Sequence, residues 1–352
     1  MATIKDIAKL TGVSTATVSN VLNGKSGAAG EAKSKEIFAM ARQLNYSPNL
    51  LAKNLKQRKT NTIAIITEDL TVFNTPEIVD GIESFCEERG YEIIIGNMRL
   101  FKRYNNDFTD TPKHHELLNA LVRNLLAKQV EGIIYVGYHC REIQWLPDDL
   151  RVPFVFAYCY PHDDIYPSVL FDDEKAGYDV TKLLIEKGHQ SIGVICGPVA
   201  SYHTYARLQG FQQALFDHRI LYNSRHVCYG DWERLSGYRL SGTLLDSGVT
   251  AIFAFNDMMA SGVYECCVER GLVVGKDISL FGVDNRDISL GYSPPISTVE
   301  PPLNGIGRKC AELILDKISS KLPQSDTSGC GRILLPCKVI ERKSVQNHSV
   351  TA

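Results

Sequence analysis

A chain of 352 residues with a formal net charge of −2 conceals two opposed parts: residues 1–60 carry 10 lysines and arginines against 3 acids, and the remainder carries 28 against 37. A basic end of this kind points to a polyanion partner. With no secretory signal pattern and no apolar run long enough to cross a bilayer, a cytoplasmic protein is expected and a secreted solute-binding protein is excluded; the 10 cysteines, none in a C-x-x-C pair, are expected to be reduced.

In chain order, Thr3 to Asp6 has the form of a capping box and predicts a helix over 4–10, ended by Thr11-Gly12-Val13. Ser14 then caps a second helix over 15–22, in which Val18 and Leu22 share a face at i, i+4 spacing. A third helix over 31–44 turns Ile37, Ala41 and Leu44 inward, toward Ile7, Ala8 and Val18. Helix, glycine-containing turn, helix is a DNA-binding signature. The periodic apolar residues argue against a merely solvated basic tail. Ser47-Pro48 starts a fourth, short helix over 49–56. Its single apolar pair, Leu51 and Leu55, cannot bury itself, and so short a helix is marginal alone in water. Gly24-Lys25-Ser26 imitates the end of a phosphate-binding loop, but the first required glycine falls at Ser19 and no strand precedes it, so nucleotide hydrolysis is excluded.

Beyond residue 60, short runs rich in Ile, Val and Phe alternate with amphipathic segments. Strands are predicted over 63–66, 93–95, 133–136, 154–157, 192–196, 252–255 and 278–283, and helices over 76–89, 116–128, 174–187, 206–217, 235–247, 258–270 and 304–319. Near-continuous apolar strands between helices indicate parallel sheets covered on both faces. Arg89-Gly90, Lys187-Gly188 and Arg270-Gly271 repeat one stop device, a cation beside the negative helix end and a glycine at the turn. Nearly 300 residues of this pattern suit two doubly wound lobes. Ligands of such sheets bind at the carboxyl ends of strands, which singles out Glu68, Asp69, Tyr158, Asn256, Asp257, Asp284 and Asn285.

Several ordered motifs carry a family resemblance: Ile4-Lys5-Asp6-Ile7-Ala8, Gly12-Val13-Ser14-Thr15-Ala16-Thr17-Val18-Ser19, Leu44-Asn45-Tyr46-Ser47-Pro48-Asn49 and Leu51-Ala52-Lys53-Asn54-Leu55. They resemble the head and hinge of lactose repressor/galactose repressor (LacI/GalR) regulators, and the resemblance continues more loosely to about residue 342. It implies an all-α helix-turn-helix head joined to an α/β, periplasmic-binding-protein-like clamshell of two doubly wound parallel-sheet lobes. The implied domains are a head over 1–46, a hinge over 47–60, a core over 61–342 and a polar tail over 343–352. Within the core the first lobe would take 61–158 and 292–320, and the second 163–284 and 331–342.

By the same resemblance, Ser14, Thr15, Ala16, Thr17 and Asn20 belong to a helix lying in the major groove, and Leu55 is a minor-groove wedge with Ala52 and Lys53 beside it. Ordinary helix surface is the alternative for Thr15 and Thr17, and packing on the body for Leu55. Gly27 to Gly30 departs from the family's usual Val-Ser cap of the third helix, so phosphate contacts from that helix start are not expected to follow the pattern. Arg207, Asn256 and Asp284 match the polar set for effector hydroxyls, and Trp232 in Gly230-Asp231-Trp232 matches an aromatic wall; Glu68 and Tyr158 complete the candidate pocket. Arg207 and Asp284 could instead pair structurally, and Asn256 could simply cap a helix.

The implied function is a repressor that binds a palindromic double-stranded operator as a homodimer and answers to a small polar effector, a carbohydrate being the expected class, with no cofactor and no metal. Control by a partner protein and an enzyme fused to a DNA-binding head are the alternatives. No G-x-S-x-G, H-E-x-x-H or G-x-G-x-x-G motif supports catalysis, and adjacent His114 and His115 point different ways on a helix. Ile78, Ile82 and Phe85 offer either a dimer stripe or burial against their own sheet. The connection over 99–115 is longer than the family's and has no assigned role, and no leucine heptads follow residue 342.

Overall fold

The computed structural model describes residues 2–25, 27–46, 59–104, 112–147, 150–163, 165–320 and 331–348. Contacts divide the chain into two units, residues 1–60 and 61–352. In the first, helices α1 (Ile4–Thr11), α2 (Thr15–Leu22) and α3 (Glu31–Gln43) close a core of Ile7, Ala8, Val18, Val21, Ile37 and Ala41. The Asp6 carboxylate reaches back to the Thr3 N–H at 2.8 Å and to its hydroxyl at 2.7 Å, so the predicted box forms with the hydroxyl donating. Gly12 ends α1 at φ 66°, which only an achiral residue adopts without strain. Gly30 caps α3 without a side-chain bond, as the departure at 27–30 implies.

The second unit contains two parallel sheets. In chain order the first sheet uses β1 (Thr62–Thr67), helix α4 (Thr75–Glu88), β2 (Glu92–Asn97), the short α5 (Leu100–Tyr104), α6 (Pro112–Ala127) and β3 (Gly132–Val136). The chain continues through β4 (Glu142–Ile143), β5 (Phe154–Ala157), β6 (Tyr160–Pro161) and β7 (Pro167–Phe171). It then builds the second lobe: α7 (Asp173–Glu186), β8 (Ile192–Cys196), α8 (Tyr202–Asp217), β9 (Val227–Tyr229), α9 (Arg234–Asp246), β10 (Ala251–Ala254), α10 (Asp257–Glu269) and β11 (Ser279–Phe281). It returns by β12 (Thr298–Glu300) and α11 (Leu303–Ser320), then β13 (Gly331–Leu335) and β14 (Lys338–Ile340).

Strand order is β13-β7-β5-β3-β1-β2 in one sheet and β11-β10-β8-β9 in the other. The order reverses between β1 and β3 and again between β8 and β10, and loops that leave in opposite directions at such points open a crevice at the strand carboxyl ends. Apolar clusters cover both faces of the first sheet and fill the second lobe.

Three expectations need correction. Strand β7 pairs with β5 and β13, and β13 pairs with β7 from Gly331↔Pro167 to Leu335↔Phe171, so 167–171 and 331–335 belong to the first sheet and not to the second lobe. The chain therefore crosses between lobes after Phe171 and after Leu335, where Asp172 N–H bonds Leu335 O at 2.9 Å and β12 pairs antiparallel with β14. Residues 343–348 are not a loose tail: Ser344 is fully buried, its hydroxyl donates to Leu280 O at 2.7 Å, and His348 N–H bonds Lys187 O at 2.7 Å. Ile78 and Ile82 are fully buried in the first lobe's own core, which removes them as a dimer stripe.

Helices pack through facing glycines. A Cβ on Gly81 would lie 2.1 Å from Asn304 O and one on Gly307 2.0 Å from Ile78 O, so α4 and α11 touch backbone to backbone. Gly177 with Gly210 does the same for α7 and α8, and Gly237 with Gly262 for α9 and α10. Among the described residues no helix is long and apolar enough to cross a membrane.

Candidate DNA-reading helix and effector cleft

In the head, Ser14 Oγ accepts the Thr17 N–H at 3.0 Å and lies 2.9 Å from Thr17 Oγ1, so both side chains serve the start of α2. Thr15 and Ala16 are exposed on the first turn and Asn20 is half-buried one turn further on, the placement a groove-reading helix needs. Lys33 and Lys35 are paired with Glu36 and Glu31 on α3. Ala52, Lys53 and Leu55 lie outside the described residues.

The polar network of the body gathers at the carboxyl ends of both sheets. Asp173 opens α7 directly after the crossing from β7 and is 2% exposed. Its Oδ1 accepts Arg207 Nε at 2.6 Å and its Oδ2 lies 2.7 Å from His203 Nδ1. A carboxylate on Nδ1 fixes the proton there, which leaves Nε2 to accept the Tyr158 hydroxyl at 3.0 Å. Tyr158 follows β5 of the first sheet and His203 sits on α8 of the second lobe, so this bond joins the lobes directly. A second contact between them places the Arg286 guanidinium 4.7 Å over the Phe73 ring. Burial opposes ionisation of Asp173, but His203 and Arg207 outweigh it and hold the carboxyl below its usual range. Arg207 Nη1 donates to Phe255 O, and its guanidinium lies 5.9 Å over Phe171.

Trp232 adopts φ 74° after β9 and lies so close to Gly197 that a Cβ there would fall 2.1 Å from the indole. Asn256 Nδ2 donates to Trp232 O at 2.9 Å, while its Oδ1 accepts Met259 N–H at 2.7 Å. Asn256 therefore caps α10 and positions Trp232; with its oxygen and one N–H committed, it holds the wall of the cleft in place. Arg207 hydrogen-bonds Asp173, not Asp284. Glu68 is fully buried with both oxygens used: Tyr135 hydroxyl at 2.7 Å, Tyr138 N–H at 2.7 Å and Arg141 at 2.5 Å. It braces the loops after β1 and β3 against each other, so the expectation of a ligand contact there is corrected to a strut.

Asp284 follows β11 at φ 104°, held by its N–H to Val299 O at 2.8 Å. Burial pushes its pKa up to about 8 against the pull of Arg207. The folded value stands above the usual 3.8, so folding takes up a proton at Asp284 in the window between the two, and the residue favours the unfolded chain increasingly as pH rises through it. Asp284→Asn is therefore expected to stabilise the protein by about 2 kcal/mol at pH 8 and by progressively less toward pH 5. Urea titrations of the two proteins that stay parallel across that range would show that the carboxyl is ordinarily solvated.

Asp173, His203 and Phe171 are site residues that the sequence reading missed. Asp173 and Phe171 become visible once 167–171 is read as a strand, since they then stand at its carboxyl end. Among the described residues no group of His, Cys, Asp and Glu is placed to hold a metal ion.

Known proteins resemble this chain in sequence and fold. Residues 3–49 match the family of bacterial regulatory proteins, lacI family, and residues 181–345 match a periplasmic binding protein-like domain. The chain is 31% identical over 325 residues to the HTH-type transcriptional repressor PurR of Vibrio cholerae serotype O1, covering 91% of this chain and 93% of that protein. It is 32% identical over 328 residues to the PurR repressor of Aliivibrio fischeri, with the same coverage. A Lac repressor dimer bound to operator and the anti-inducer ONPF matches with TM-score 0.75 and 28% identity over 98% of this chain and 99% of that one. A complex of the regulator CelR with cellobiose matches with TM-score 0.63 and 27% identity over 98% and 100%. With its helix-turn-helix head and two-lobed parallel α/β body, the chain belongs to the LacI family of bacterial transcriptional regulators and is a DNA-binding repressor, not an enzyme.

Proposed function

We propose that the protein binds a palindromic operator as a dimer and that a small polar ring compound in the cleft between its lobes controls that binding. Thr15, Ala16, Thr17 and Asn20 read the major groove, and Leu55, flanked by Ala52 and Lys53, enters the minor groove when the hinge orders on DNA. The observation that carries the effector half is the direct bond from Tyr158 to His203, with Asp173 and Arg207 behind it: polar side chains of both lobes converge at the carboxyl ends of the two sheets. A carbohydrate fits this reading, and the CelR relative carries one. A ligand touching both lobes binds the closed arrangement better than the open one, and that difference in affinity is what shifts the population.

Operator titrations test the DNA half. Affinity is expected to fall steeply with salt, by about 0.9 logarithmic units per phosphate contact for each tenfold rise in salt concentration. Leu55→Ala is expected to weaken specific binding at least about tenfold while leaving effector affinity unchanged. Equal operator affinity of parent and variant would remove the wedge, and a flat salt response would remove operator binding itself.

A further inference from the structure

His139 and the long connection after β2 have no role in the reading above. His139 follows β3 at the reversal of strand order in the first sheet. Its Nδ1 is buried without a hydrogen-bond partner, a state that is expensive inside a protein and is relieved when a bound molecule supplies the bond. Burial, with His203, Arg207 and Arg141 nearby, lowers its pKa to about 3, so the ring is neutral and stacks without a charge to solvate. Its ring plane lies within 31° of that of Trp232 in the other lobe, with centroids 6.4 Å apart. A flat ring between two flat faces needs about 7 Å, twice the carbon contact distance. The two rings are already close to that spacing, so a modest parting of the lobes admits a flat ring, whereas a puckered ring with hydrogens on both faces needs a wider gap.

The same imidazole is braced from behind. Tyr138 meets it edge to face at 4.3 Å, and Phe101 meets Tyr138 edge to face at 4.7 Å. Phe101 belongs to α5, at the start of the long connection, and its N–H is pinned to Asp69 Oδ2 at 3.1 Å. We infer that His139 and Trp232 are the two jaws of a slot for a flat ring bearing hydrogen-bonding groups, and that α5 sets the jaw through Phe101 and Tyr138. The inference rests on the cleft being the effector site.

The chain has two tryptophans, so Trp145→Phe in the full-length protein makes Trp232 the sole fluorescent reporter. Adenine, uracil and nicotinamide serve as flat probes, and glucose and cellobiose as puckered ones, each followed by fluorescence and calorimetry. A flat probe is expected to bind and quench Trp232. His139→Ala should weaken it by about tenfold, His139→Asn should recover only part of the loss, and Phe101→Ala should weaken it about threefold with Phe101→Tyr restoring it. A puckered probe that binds where no flat probe does overturns the slot and leaves the effector cleft standing, as does a flat probe indifferent to His139→Ala. Silence toward both classes takes the effector cleft down with the slot.

Discussion

Arg207→Ala is expected to destabilise the two-lobed body by about 3–5 kcal/mol at neutral pH, because it leaves a carboxylate buried without its cation. Asp173 and Arg207 are 2% and 3% exposed, and their 2.6 Å contact is flanked by His203 on the other carboxylate oxygen. Burial alone would drive Asp173 toward its neutral form; with the guanidinium gone, that push meets less resistance and the carboxyl takes up a proton more readily. In the parent the carboxyl sits below its usual 3.8, so its contribution is present above that value and is lost as pH falls through the depressed one. The penalty of Arg207→Ala is therefore largest near neutrality and shrinks in acid. Urea titration at several pH values checks this. The double variant Asp173→Asn with Arg207→Met should be more stable than Arg207→Ala, since it removes the stranded charge as well as the pair. A loss below about 1 kcal/mol at pH 7 would mean that water reaches the pair and that the cleft is open.

How much of this was legible beforehand depended on how local the determinants are. The head was readable almost to the residue because Thr3, Asp6, Gly12 and Ser14 act within four residues of themselves, and the structure ends the third helix one residue early, at Gln43. The repeated strand-helix pattern exposed the parallel sheets for the same reason. Strands β7 and β13 escaped because neither carries its own signal: Pro167-Ser168 opens one and Gly331-Arg332 the other, and while β7 is held by β5 on one side, β13 is a strand only by pairing with β7 across some 160 residues of chain. Missing β7 displaced the lobe boundary and hid Asp173. Tyr158 and Asp284 were singled out by the strand-end rule and Trp232 by the family motif, but the rule says nothing about which polar group is already spent. Glu68 satisfied it and is a strut, because Tyr135 and Arg141, 67 and 73 residues away, saturate it. His203 was lost with the first turn of its helix, where Tyr202, Thr204 and Tyr205 lack helix propensity and only tertiary packing extends α8 back to Tyr202.

Gly210→Ala is expected to cost at least about 3 kcal/mol and to abolish effector binding through the packing of α7 on α8. Its added Cβ would stand 1.9 Å from Glu174 O and 2.7 Å from Tyr178 N, both backbone atoms of α7 that have no rotamer to retreat into. The two helices must separate by more than 1 Å to restore ordinary contact near 3.5 Å. Gly177 meets Arg207 O on the facing side in the same way, so the displacement is not absorbed by tilting about one point. Arg207 lies one turn before Gly210 on α8, and Asp173 lies at the start of α7. The hydrogen bonds at 2.6 and 2.7 Å that join Asp173 to Arg207 and His203 therefore depend on the same close approach. Gly305→Ala is the matched control. It too lies within a helix, α11, but its Cβ would meet Pro302 and Leu335 side chains at 3.6 and 3.7 Å, ordinary contact, and alanine gains about 1 kcal/mol of helix propensity. Thermal unfolding of the two variants should therefore move in opposite directions from the parent, and effector binding should be lost in Gly210→Ala and kept in Gly305→Ala. If Gly210→Ala kept the parent's melting temperature, α7 and α8 would not be in backbone contact, and the clasp on Asp173 would need another explanation.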